Sequence, residues 1–87
     1  MTRFTPWTAA QTAAGVIAAR HRGDHADAEA LLASFPDEAA RTRGFWLLAE
    51  LSLSLVREAT GQSTDELVRE LTIHLGQADE LLPPPPA

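Results

Sequence analysis

The run from Gly44 to Val56, Gly-Phe-Trp-Leu-Leu-Ala-Glu-Leu-Ser-Leu-Ser-Leu-Val, constrains the chain more than any other segment. Read as a helix, it carries apolar residues on nearly every side, so no single-faced amphipathic pattern describes it. A helix of that kind must be covered on most sides, by neighbouring helices or by another copy of the protein. At 13 residues it is shorter than the ~20 that a membrane-spanning helix needs, and it contains Glu50. The sequence therefore predicts an all-α fold: a small four-helix bundle with antiparallel neighbours and the third helix central. Leu48 and Leu51, near the middle of the run, are expected to be fully buried.

The remaining helices are set by punctuation. Thr5 followed by Pro6 is a helix start, with Thr5 as N-cap and Pro6 at the first helical position. Trp7, Ala10, Ala14, Ile17, Ala18 and His21 recur at three- and four-residue spacing and are read as the inward face. Arg20, His21 and Arg22 suit the negative end of that helix, and Gly23 supplies the residue that ends it. Asp24 caps a second helix with the stripe Ala28, Leu31, Leu32 and Phe35. Pro36 closes it, and a third helix is expected from about Asp37 to Ala59. Gly44 within it costs ~1 kcal/mol relative to Ala and points to a close crossing or a kink.

Gly61 ends the third helix, and Ser63-Thr64-Asp65-Glu66 is a capping box that opens a fourth. Its inward residues are expected to be Leu67, Val68, Leu71, Leu75, Ala78 and Leu82. Residues 1–82 thus make a single helical domain. Pro83 to Ala87 is a proline-rich tail, extended and dispensable for folding.

Composition bounds the chemistry. Eighty-seven residues allow one domain, which buries only about 60–65% of its unfolded surface. No cysteine is present, which excludes disulfides, thiolate catalysis and thiolate metal sites. The net charge is −5, and every basic side chain is Arg. Lys, Asn and Tyr, encoded by AT-rich codons, are absent, which points to a gene from a high-GC bacterium or its phage. The start of the chain is a poor secretory signal, and a reduced, cytoplasmic setting is expected.

Several constellations of polar residues bear on function. His21 and His25 have the i,i+4 spacing of paired metal ligands, with Asp27 and Glu29 nearby. A helix stop and a helix cap stand between them, so solvated residues at a tight turn are expected and no metal. His74 flanks the fourth helix without a nucleophile or a second titrating partner. Ser52 follows Glu50-Leu51, a faint echo of the Asp-Ser-Leu of acyl carrier proteins, but it lies inside a helix rather than at its start. Neither a cofactor nor a small molecule is indicated, and no enzyme is expected.

Two segments resemble known motifs. Gly23-Asp24-His25-Ala26-Asp27-Ala28, with Leu32, is similar to the turn and second helix of a tetratricopeptide repeat. No second copy follows, so a generic helix pair is expected. Ala59-Thr60-Gly61-Gln62-Ser63 leading to Leu67 resembles the turn of a helix-turn-helix. Gln62 stands where that motif wants an apolar residue, and the following helix carries Asp65, Glu66 and Glu70 against Arg69. An acidic helix repels the phosphate backbone, so nucleic acid is not the expected partner.

The reading that remains is a small non-catalytic helical module acting through protein–protein interaction, self-associating as at least a homodimer. The alternative is a small regulator: antitoxin-like, phage-type, or a weak helix-turn-helix DNA-binding protein. Phe45, Trp46 and Leu53 are the candidate interface residues. Adjacent Phe45 and Trp46 point about 100° apart, so one internal face cannot easily hold both. Coverage of both by helices of the same bundle is the favoured expectation. Trp46 as an anchor for a partner is the other.

Overall fold

The computed structural model describes residues 4–81, and the tail from Pro83, with Leu82, lies outside the described residues. The chain is all-helical, as expected. Its elements are α1 (Pro6–His21), α2 (His25–Ala33), α3 (Glu38–Thr60) and α4 (Thr64–Leu81). They divide between two compact units, residues 1–52 and 53–87, with α3 running from the first into the second.

Local chemistry fixes the start of every described helix and the end of α1. Thr5 caps α1 by accepting the Thr8 amide at 3.1 Å, and Pro6 sits in the first turn. At the far end the Asp24 amide donates to the Ala19 carbonyl and the Gly23 amide to that of Arg20. This doubly bonded termination requires a left-handed residue, and Gly23 has φ +80°. Asp24 then accepts the Asp27 amide at 3.0 Å and starts α2. Asp37 accepts the Ala40 amide at 2.7 Å, so it is the cap of α3 and the helix proper starts one residue later than expected. The capping box of α4 is complete: the Glu66 amide donates to Ser63 Oγ and the Ser63 amide to Glu66 Oε1, each at 3.1 Å.

In the first unit the core is built on alanine. Ala9, Ala13 and Phe35 form one cluster, with Leu32, Ala40, Phe45 and Leu48 against it. Val16, Ala19 and Ala28 form a second, and Leu32 and Phe45 touch both. The α2 stripe is as expected: Ala28 and Phe35 are buried, and Leu31 and Leu32 are half-buried.

The α1 face shares only Ala10 with the expected one. Ala9, Ala10, Ala13, Val16 and Ala19 are buried, whereas Trp7, Ala14, Ile17, Ala18 and His21 are exposed, Trp7 by 62%. Both arcs satisfy the helical spacing, and approach distance decides between them. A Cβ placed on Gly44 would lie 2.5 Å from the Ala9 carbonyl oxygen, so α3 crosses α1 almost at backbone contact. An arc holding Trp7 would keep the helices too far apart for that. Gly44 marks a close crossing, one of the two outcomes its position implied.

Coverage of α3 also differs from the expectation. Gly44 is its buried residue, Leu48 is only half-buried, and Leu51 is 45% exposed. The predicted full burial of Leu48 and Leu51 is therefore corrected. α1 and α2 reach the first turns of α3 through Gly44, Phe45 and Leu48, and Leu51 lies beyond that crossing.

In the second unit α4 keeps its expected stripe but not its expected burial. Leu67 is buried and Ala78 half-buried, while Val68, Leu71 and Leu75 are exposed. The unit pairs α4 with only the final turns of α3, and one short neighbour covers a limited part of a helix circumference. Gln62 Nε2 donates to Glu70 Oε1 at 2.9 Å, tying the turn to α4.

Candidate interaction surface

The structure separates the neighbours Phe45 and Trp46. Phe45 is half-buried, its ring centroid 6.1 Å from that of Phe35 at a 35° tilt, and Phe35 in turn meets the edge of Phe4 at 5.8 Å. These separations fall in the range where aromatic pairs attract beyond simple area burial. Phe45 therefore belongs to the internal cluster.

Trp46 points away from that cluster and is 64% exposed, beside a shallow depression lined by Glu38, Ala39, Thr42 and Arg43. The favoured expectation, coverage of both rings within one chain, is corrected. Consecutive helical positions diverge by about 100°, and α1 and α2 cover only the Phe45 side. Leu53, the third candidate, is half-buried in the second unit.

Other apolar residues also stand bare, and all of them except Leu55 and Val56 are expected inside from the sequence. In the first unit these are Trp7 and Ile17 of α1 and Leu51 of α3. In the second they are Leu55 and Val56 of α3, with Val68, Leu71 and Leu75 of α4. The signal for the α4 set was present in the sequence as a regular stripe, but nothing in the sequence said that the stripe would go uncovered.

Polar chemistry is sparse. Among the described residues no polar or charged side chain is buried, and no three His, Asp or Glu side chains gather as metal donors. His21, His25 and His74 are exposed. Asp27 pairs with Arg22 at 3.3 Å on the surface, an exposed contact of small energetic weight. Ser52 Oγ donates to the Leu48 carbonyl at 2.8 Å, a bond internal to the helix. Glu66 has a pKa below the ordinary carboxylate value, chiefly because its carboxylate accepts the Ser63 backbone amide and then through its side-chain bond with Ser63. That shift belongs to helix capping. No described helix is long and apolar enough to cross a membrane.

Comparison with models of known protein families, with curated proteins and with solved structures gives no match.

Proposed function

We propose that this chain is a small, non-catalytic helical module that acts through protein–protein contacts in the cytoplasm, and that it self-associates through a surface to which α3 contributes. The observation that carries the reading is an imbalance between buried and bare apolar residues. Among the described residues, five of the eight buried apolar residues are alanines, and the larger ones are Val16, Phe35 and Leu67. Both tryptophans and several Leu, Ile and Val side chains are left in water.

Fully burying a Val, Leu, Ile or Phe side chain stabilises by roughly 1.5–3 kcal/mol, whereas alanine contributes little. A thin alanine core therefore leaves the chain's larger apolar groups available to stabilise an assembly. Single exposed apolar residues are ordinary on a soluble protein, and it is their number on a chain this small that supports the reading. Trp46 fits the part of an anchor. An aromatic of this class buries ~150–250 Å² when covered, and about two thirds of Trp46 is free.

Multi-angle light scattering across a concentration series tests the reading, with Trp46→Ala as a companion. A mass that rises with concentration, and rises less in the variant, is expected. A mass fixed at that of one chain overturns the proposal.

A further inference from the structure

Trp46 stands in a regular seam on the outer side of α3. At about 100° per residue, Ala39, Thr42, Trp46 and Ala49 share the side of the helix opposite Gly44 and Leu48, which face the core. All four are exposed, and their alternating spacing of three and four residues is that of a helix paired with another helix. Arg43 and Glu50, seven residues apart and both exposed, flank the seam along one edge. Among the described residues neither has an ion-pair partner: the pairs formed are Arg22 with Asp27 and Arg41 with Glu38. We propose that this seam packs on the same stretch of α3 in a second copy, antiparallel, with Arg43 of each chain paired to Glu50 of the other. The inference rests on the self-association reading and gives that surface its register.

Charge selects the occupant. One unpaired cation and one unpaired anion on a single edge make a pattern that is complementary to itself. With a two-fold axis between residues 46 and 47, Arg43 lies level with Glu50 of the copy and Glu50 with its Arg43, so each contact is made twice. Flanking charges of this kind set partner and orientation in paired helices. Parallel packing would instead bring Arg43 beside Glu38 of the copy, which Arg41 already holds at 3.4 Å, and would leave Glu50 without a cation. A partner charged with one sign alone would be repelled at one of the two positions.

The distribution of charge over the chain agrees. Residues 1–52 hold five arginines against six carboxylates, whereas residues 53–87 hold two against six. Repulsion between copies is therefore weakest where the first units meet. Shape agrees as well. Ala39, Thr42 and Ala49 are small and leave room for the copy's indole, the large-beside-small arrangement by which facing helices interdigitate.

Charge reversal tests the register. Sedimentation velocity over a concentration series, in about 0.05 M NaCl to limit screening, compares the unmodified protein, Arg43→Glu, Glu50→Arg and an equimolar mixture of the two variants. Each substitution alone turns both ion pairs into repulsions and is expected to weaken the dimer about tenfold. The mixture restores opposite charges at both positions and is expected to form a heterodimer about as readily as the unmodified protein pairs with itself. Circular dichroism of the monomers should not change, since both side chains are exposed and unpaired within the chain.

A mixture that dimerises no better than the separate variants would overturn the antiparallel register. Variants that each dimerise like the unmodified protein would overturn the seam while leaving self-association standing. An unmodified protein that stays monomeric at about 100 micromolar would overturn the self-association reading, and the seam with it.

Discussion

Gly44→Ala is the substitution whose sign depends most directly on the packing of α1 against α3. In a helix interior, replacing Gly by Ala ordinarily stabilises by ~1 kcal/mol, because alanine has fewer unfolded conformations to lose and a better helix propensity. Gly44 has a helical backbone, so no left-handed conformation opposes the change. The obstacle is Ala9. The new Cβ would meet the Ala9 carbonyl oxygen at 2.5 Å, its carbonyl carbon at 2.8 Å and its Cβ at 3.1 Å. Ordinary contact begins near 3.5 Å, so α1 and α3 must part by about 1 Å. Two of the three atoms are backbone and cannot swing aside. Separation would also loosen Phe45 and Leu48 from Ala9, Ala13 and Phe35, which form one cluster.

Overpacking of this kind costs about 1–3 kcal/mol, and because two of the three clashing atoms are backbone the upper part of that range applies, which after the propensity gain leaves a net loss of up to about 2 kcal/mol. For a chain of this length that lowers the melting temperature by up to about 16 °C. Gly76→Ala is the matched control. Gly76 is also helical, nothing lies within 4 Å of its would-be Cβ, and the substitution should stabilise by up to ~1 kcal/mol. Thermal melts by circular dichroism at one protein concentration read both. Opposite signs are expected, and a Gly44→Ala protein that melts higher than the parent would refute the close crossing.

Other substitutions test other links. Phe35→Ala removes the ring that joins Phe4, Phe45 and the alanines of α1, and should cost at least ~3 kcal/mol in a urea titration; a midpoint within error of the parent would dismiss Phe35 as the keystone of the first unit. Ser63→Ala deletes the acceptor for the Glu66 amide and should destabilise α4 by ~1 kcal/mol, seen as lost helicity on warming. The Glu66 carboxylate has a lowered pKa in the folded chain. Its contribution is therefore complete above the unfolded value and disappears as pH falls through the folded one. The helicity of α4 should accordingly decline below about pH 4, and Glu66→Ala should remove that part of the pH dependence. Leu51→Ala, at a half-exposed site, should cost the monomer clearly less than the ~2–5 kcal/mol of a core cavity, as checked by denaturation under dilute conditions.

The helix termini were legible because their chemistry is local. Thr5, Asp24 and Ser63 each act within three residues of themselves, and Gly23 and Gly61 end helices through their own backbone, with φ of +80° and +74°. The α2 stripe was legible for a similar reason, since Leu31 and Leu32 are the large apolar side chains of that short helix, Ala28 lies one turn before them and Phe35 follows just beyond its end. α1 was different. It has two arcs of acceptable spacing, and periodicity ranks Trp7 and Ile17 above alanines because it measures hydrophobicity. Packing chose the alanines because they admit the α3 backbone at Gly44, which is a distance that a single helix does not encode.

Burial along α3 and α4 was illegible for another reason. The pattern tells which residues share a face, but whether that face is covered depends on how far its neighbours reach. α1 and α2 stop short of Leu51, and α4 has only the end of α3 beside it within its unit. The sequence offers Phe45, Trp46 and Leu53 alike as candidates. That Trp46 rather than Phe45 is the bare one of the pair follows from the 100° between them only once the covered side is known.

Molar mass as a function of concentration bears most directly on the central claim that the bare apolar residues serve association. Sedimentation equilibrium from about 1 to about 100 micromolar should show a mass that climbs from the 9.4 kDa of one chain toward a multiple of it. A single species of 9.4 kDa throughout that range would contradict the account.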